Sequence, residues 1–297
     1  MYAWKDENMR INNIPLRDPY IIFENDTYYL YGSKSGNGKI RFYQNDLEVY
    51  KSKDLIEWSE GKSLFGDTGF YHKNAELWAP EIYRYNDMYY MFVTIKIYGD
   101  EKETRRGTYV FSSDAPDGEF SIHSPKAITP EDWECLDGSL YIEDEEPYMV
   151  FCHEWKQCAG GDGEICIVKM NKDLTKSDGE VKRLFSASEA EWTYKYSDKA
   201  YVTDGPFLFK DDTLYMLWSS FTENGYAVGM AYSPSGSIMG EWKHSNSPLY
   251  ENDGGHAMLF ETKEKERKII LHSPNDLSAV PKIFNFAKCK GRRYVVK

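Results

Sequence analysis

Five polar side chains stand in similar corners of the chain: Asp18 in "RDPYI", Glu81 in "LWAPEIY", Asp137 in "LDGSLYIED", Asp204 in "TDGPFLF" and His256 in "GGHAMLF". Carboxyl groups gathered in one place can divide an acid–base reaction between them. An ionised one takes a proton from water, and a neutral one gives a proton to a leaving oxygen. Hydrolysis of a glycosidic bond with inversion needs that pair about 6.5–9.5 Å apart, so that water fits between. A third carboxylate beside the acid raises its pKa by like-charge repulsion. Asp and Gly also favour turns, so each corner alone reads as a turn. Only convergence in space would make them a site.

The corners lie 63, 56, 67 and 52 residues apart, so convergence requires a repeat. Each is followed by a short apolar strand, then a charged turn such as Glu24-Asn25-Asp26 or Lys210-Asp211-Asp212, then a strand rich in Tyr, Met and Leu. That pattern predicts a β-hairpin. Material for further strands follows every hairpin, for example "LEVYKSKDLIEW" and "TYVFSSDAPDGEF". Four strands per unit and five units predict an all-β chain, a single five-bladed β-propeller over residues 1–297. The innermost strand of each blade lines the central channel, which would bring the five corners to one mouth.

Bulk composition narrows the partners. Aromatic residues make up 16% of the chain and favour strands and flat sugar-facing walls; Trp78 and Trp192 are candidate pocket walls. The net charge of −12 comes with no basic cluster, which argues against nucleic acid. No stretch approaches the roughly 20 apolar residues of a membrane span. Five cysteines, none in CxxC spacing, predict neither a disulfide framework nor a zinc site. The opening "MYAWKDENMR" has no apolar leader core, so a cytoplasmic protein is expected, with secretion after leader removal as the alternative. Gly32–Ile40 lacks phosphate-loop spacing and reads as a loop, and Glu143–Glu146 reads as a solvated turn. His72, His123 and His244 sit in polar surroundings, whereas His153 and His272 fall near strand ends that could face a pocket.

The corner motifs, with "YKSKDLIEW" between the first two, resemble glycoside hydrolase family 43, the arabinanase, arabinofuranosidase and β-xylosidase group. The resemblance spans residues 17 to about 285. It implies inverting hydrolysis of α-L-arabinofuranosyl or β-D-xylosyl linkages in plant-derived oligosaccharides, with no cofactor required for the chemistry. By position, Asp18 would be the general base, Asp137 the residue that tunes the acid and orients substrate, and Asp204 the general acid. Trp78, Glu81 and Glu154 would contact substrate, and His256 would help to hold a water or calcium cluster in the channel. One departure stands out. The family has Glu-Gly-Pro where this chain has Asp204-Gly205-Pro206, a side chain about 1.5 Å shorter, one carbon–carbon bond. Misplacing a catalytic group by about 1 Å can cost on the order of 100-fold. Glu154 and Glu191 are the other carboxylates that could donate the proton. A second reading is therefore a carbohydrate-binding propeller with impaired catalysis. A third, retaining fructosidase chemistry, lacks its Asn-Asp-Pro-Asn-Gly opening, because Tyr20-Ile21 follows Asp18-Pro19.

Overall fold

A computed structural model describes residues 9–34, 46–66, 74–98, 105–288 and 294–297. His72, Cys289 and residues 35–40 of the loop read at Gly32–Ile40 lie outside them. The fold is the expected five-bladed propeller, each blade a four-stranded sheet whose strands follow in chain order, with the short strand Glu57–Trp58 of blade one pairing instead with Met9–Arg10. The innermost strands are Leu16–Glu24, Ala75–Tyr85, Cys135–Glu143, Asp204–Lys210 and Gly255–Glu261, the five segments that follow the corners. In blades one to three the inner hairpins turn through pairs of residues with positive φ: Asn25-Asp26, Asn86-Asp87 and Asp144-Glu145. Two positive φ values define the type I′ turn, whose twist matches that of paired strands.

Apolar side chains fill the wedges between blades. One cluster joins blades one, two and five around Leu16, Leu77 and Ile270. Others fill the gaps between blades two and three, three and four, and four and five. Among the described residues no strand is exchanged between the ends of the chain: blade one is built from residues 16–63 and blade five from residues 255–296. Side chains close the ring instead: Arg17 Nη2 donates to Asn275 Oδ1 at 2.7 Å, and the Lys263 N–H donates to Tyr28 Oη at 2.9 Å. No helix among the described residues is long and apolar enough to cross a membrane.

Each innermost strand carries a β-bulge at the same height, where two residues oppose one on the neighbouring strand. The first bulge residues are Asp18, Ala79, Asp137, Gly205 and His256, with φ of 51°, 48°, 57°, 52° and 53°. A bulge leaves one residue unpaired and re-aims its side chain. It also tolerates proline, which supplies no ladder hydrogen bond, and Pro19, Pro80 and Pro206 hold the second bulge position. This register corrects the repeat as read from sequence. Ala79, not Glu81, is the blade-two equivalent of Asp18, and Gly205, not Asp204, is the blade-four equivalent. Asp204 stands one residue earlier, paired with Ser219.

The bulge N–H groups form a ring of their own. In four blades each donates to a side chain on the second strand of the preceding blade. Ala79 N–H bonds Ser33 Oγ at 2.7 Å, Asp137 N–H bonds Thr94 Oγ1 at 2.8 Å, His256 N–H bonds Ser219 Oγ at 2.8 Å, and Asp18 N–H bonds His272 Nδ1 at 3.2 Å. At blade four the corresponding side chain is Cys152, and the Gly205 N–H goes to Asp137 Oδ2 at 2.9 Å instead. A thiol is a weak acceptor, so the break in the ring ties the blade-four strand directly to a carboxylate.

Candidate active site

The bulges deliver their side chains to a pocket of about 260 Å³ at the channel mouth, lined by Arg17, Asp18, Trp78, Arg106, Leu136, Asp137, Asp204, Tyr226 and His256. All three aspartates proposed for chemistry therefore converge, with Trp78 and His256. Glu81 does not line it. Its buried carboxyl accepts the Tyr83 hydroxyl in a short hydrogen bond, and that hydroxyl also meets Ser139 Oγ at 2.9 Å. Glu154 does not line it either, being paired with Arg106 and Lys156, and Glu191 is exposed. Of the three carboxylates that could act as the acid, Asp204 alone is in the pocket.

Asp18 is fixed on both oxygens. Ser33 Oγ donates to Oδ2 at 2.7 Å, and His256 Nδ1 lies 3.3 Å from Oδ1. Since Asp18 N–H is a donor, His272 Nδ1 must be its acceptor, which leaves the His272 ring proton on Nε2, 3.2 Å from Asn275 Oδ1. Burial pushes His272 down to about 4, so it is neutral near pH 7. Burial alone would raise Asp18. The electrostatic influence of His256, Arg17 and His272 and the Ser33 hydrogen bond outweigh it and hold Asp18 below the ordinary carboxylate value. Asp18 is the ionised member of the set.

Asp137 and Asp204 behave oppositely. Burial first, then the charge of Asp18, pushes Asp137 up to about 7, against the Gly205 N–H and Arg106. Burial first, then the charge of Asp137, pushes Asp204 up to about 7, against the Tyr226 hydroxyl, which donates to Oδ2 at 2.8 Å. Two carboxyls that interact this strongly titrate as a pair, and the pair retains a proton into the neutral range.

Sequence reasoning missed Arg106 and Tyr226. Arg106 Nε meets Glu134 Oε2 at 3.1 Å, and its guanidinium lies 5.6 Å from the Trp78 ring centroid. Both residues stand at the mouth-side start of a blade's third strand, a position that only the repeat in three dimensions exposes. His153 lies off the pocket, stacked on Trp133 at 4.0 Å with Nδ1 3.1 Å from Glu164. Around His256, among the described residues, no three ligand atoms from different side chains all lie within 4.8 Å of one another. Calcium takes six to eight oxygens, and His256 offers one ring nitrogen beyond the one facing Asp18. A cation held there would rest on waters and backbone carbonyls more than on side chains of the described residues.

A family model described as glycosyl hydrolases family 43 matches residues 11–285. The chain belongs to this family. Among solved structures, an endo-arabinase from Bacteroides thetaiotaomicron is 37% identical, with a TM-score of 0.82 over 96% of this chain and 99% of that one. An endo-1,4-β-xylanase from the same organism is 26% identical, with a TM-score of 0.75 over 99% and 97%. An extracellular exo-α-(1→5)-L-arabinofuranosidase of Cellvibrio japonicus is 22% identical over 85% of this chain and 73% of its own length. The family 43 protein is an O-glycosyl hydrolase.

Glu81 carries a prediction about stability. Burial pushes its carboxyl from 4.5 up to about 8. The folded protein thus keeps a proton that the unfolded chain releases above about 4.5. Stability falls as pH rises through that window and levels off above about 8. Glu81→Gln removes this term, and is expected to gain about 2–4 kcal/mol over the wild type between pH 5 and pH 8.5 in urea unfolding. Parallel pH profiles for the two proteins would refute the buried neutral carboxyl.

Proposed function

We propose that this family 43 protein is an inverting hydrolase of α-L-arabinofuranosyl linkages in arabinan-derived oligosaccharides. Asp18 is the general base, Asp204 the general acid, and Asp137 the carboxylate that sets the proton affinity of Asp204. The observation that carries this reading is the convergence of Asp18, Asp137 and Asp204 in one pocket, where Asp18 is held down by its partners while burial and mutual repulsion push Asp137 and Asp204 up to about 7. Asp18 takes a proton from water as the water oxygen bonds to the anomeric carbon. The glycosidic C–O bond breaks, and Asp204 delivers its proton to the departing oxygen. Solvent then takes the proton from Asp18 and returns one to Asp204. Trp78 supplies an apolar wall and Arg106 a cationic edge for the sugar hydroxyls. Asp204 reaches the pocket despite the missing methylene, which favours an enzyme over a binding-only propeller.

Arabinan is preferred to xylan because the structure that is 37% identical is named an endo-arabinase, and the one named a xylanase is more distant. The four cysteines among the described residues are free thiols, which supports the cytoplasmic reading, although the Cellvibrio relative is named extracellular. Hydrolysis of linear arabino-oligosaccharides beside xylo-oligosaccharides, followed by proton NMR, tests the proposal. The expected outcome is faster arabinoside cleavage with an inverted first product. A retained anomer, or preference for the xylosides, would overturn it.

A further inference from the structure

We infer that Tyr226, Phe221 and Tyr196 form an aromatic shelf that receives the sugar residues of the leaving group; this inference rests on the glycosidase reading of the pocket. Tyr226 holds the carboxyl of Asp204 through its hydroxyl at 2.8 Å. Its ring lies 5.1 Å from that of Phe221, which in turn lies 4.6 Å from Tyr196. The series runs from the buried proton donor to open solvent, since Tyr226 is 3% exposed and Tyr196 48%. Tyr194, beside it, is 45% exposed.

The shelf is built, not incidental. Tyr196 lies in the connection from blade three to blade four, and Phe221 and Tyr226 face each other across the second and third strands of blade four, at the mouth side of the ring. Trp192 of that connection is buried in the space left by Gly229, where a Cβ would come within 1.9 Å of the indole. The Tyr194 N–H donates to the Phe221 carbonyl at 2.7 Å, and the Tyr196 N–H to the Ala200 carbonyl at 2.7 Å. Held this way, the backbone that carries Tyr196 loses little freedom when a ligand arrives.

Direction follows from the chemistry. The bond that breaks must lie at Asp204, so the part of the substrate carrying the departing oxygen extends away along blade four. Trp78 and Arg106 belong to blade two, on the other side of Asp137. The shelf therefore meets the leaving-group sugars, neutral rings whose C–H faces pack on exposed aromatics.

The test compares Tyr196→Ala and Tyr196→Phe with the wild type on linear arabinotriose and on 4-nitrophenyl α-L-arabinofuranoside, whose leaving group is one small ring. The ratio of kcat/KM for arabinotriose to that for the aryl glycoside is expected to fall about fivefold to tenfold in Tyr196→Ala, the range of one aromatic contact, and to stay near the wild type in Tyr196→Phe. An unchanged ratio in Tyr196→Ala overturns the shelf. A separate arm titrates arabinotriose calorimetrically into Asp18→Asn with and without Tyr196→Ala. Weaker binding in the double variant supports the shelf even if wild-type turnover, and with it the hydrolase reading, were to fail. Equal binding, or none in either protein, overturns it.

Discussion

Asp18→Asn is expected to lower kcat on arabino-oligosaccharides by about 10³–10⁴-fold, the upper part of what a positioned general base contributes. An amide cannot accept the proton that water must lose as it attacks. The substitution tests chemistry rather than folding, because the amide oxygen can still accept from Ser33 Oγ and the backbone N–H still finds His272. Substrate binding should survive, so the loss should fall on kcat with KM nearly unchanged. Azide offers a sharper readout. It is already an anion and needs no base, so added azide should restore part of the turnover and give a glycosyl azide of inverted configuration. Activity within tenfold of wild type, with no azide response, would remove Asp18 from the base role.

The propeller was legible because hairpin composition repeats. Apolar strand, charged turn and Tyr-rich strand recur every 52–67 residues, the length of one four-stranded blade in a radial repeat. The register of the corners was not legible in full. What recurs is a backbone event, a bulge with positive φ, and its first position holds Asp, Ala, Asp, Gly and His in turn. Aspartate and histidine tolerate that conformation better than most side chains, so three of the five were found by their polarity. Ala79 carries no such mark, and Glu81, two residues on, drew attention as a carboxylate in the same motif. The structure puts that carboxylate against Tyr83 and Ser139, outside the pocket.

Arg106 and Tyr226 escaped for a related reason. Neither lies in a corner. Each becomes part of the site because the third strand of its blade starts at the mouth, and that depends on how blades are stacked. The ring of bulge caps shows the same limit. Ser33, Thr94, Ser219 and His272 look like ordinary strand-end residues, yet each holds a backbone N–H of the next blade. Ser33 bonds the bulge of blade two and the carboxylate of blade one together, so the scaffold and the catalytic geometry share atoms.

The shorter acid gives the second large expected effect. Asp204→Asn should cost about 10²–10⁴-fold on arabino-oligosaccharides, whose sugar leaving group needs its oxygen protonated. The loss should be much smaller on 4-nitrophenyl α-L-arabinofuranoside, because nitrophenolate departs without a proton. The pH profile gives an independent sign. Activity needs Asp18 ionised and one proton on the Asp137–Asp204 pair, so the wild type should lose activity as pH rises through about 7, where burial and mutual repulsion place that pair. On the aryl substrate, Asp204→Asn should flatten this alkaline limb, since the donor has gone and Asp137 no longer has an ionised neighbour at 204. Asp204→Glu restores a donor with a longer reach, and should keep at least about tenfold more oligosaccharide turnover than Asp204→Asn, short of full activity because the added methylene disturbs the 2.8 Å contact with Tyr226. Equal losses on both substrates with an unchanged alkaline limb would mean that the proton comes from elsewhere. Glu154 would then have to leave Arg106 and Lys156 to supply it, and Glu154→Gln would become the variant to measure.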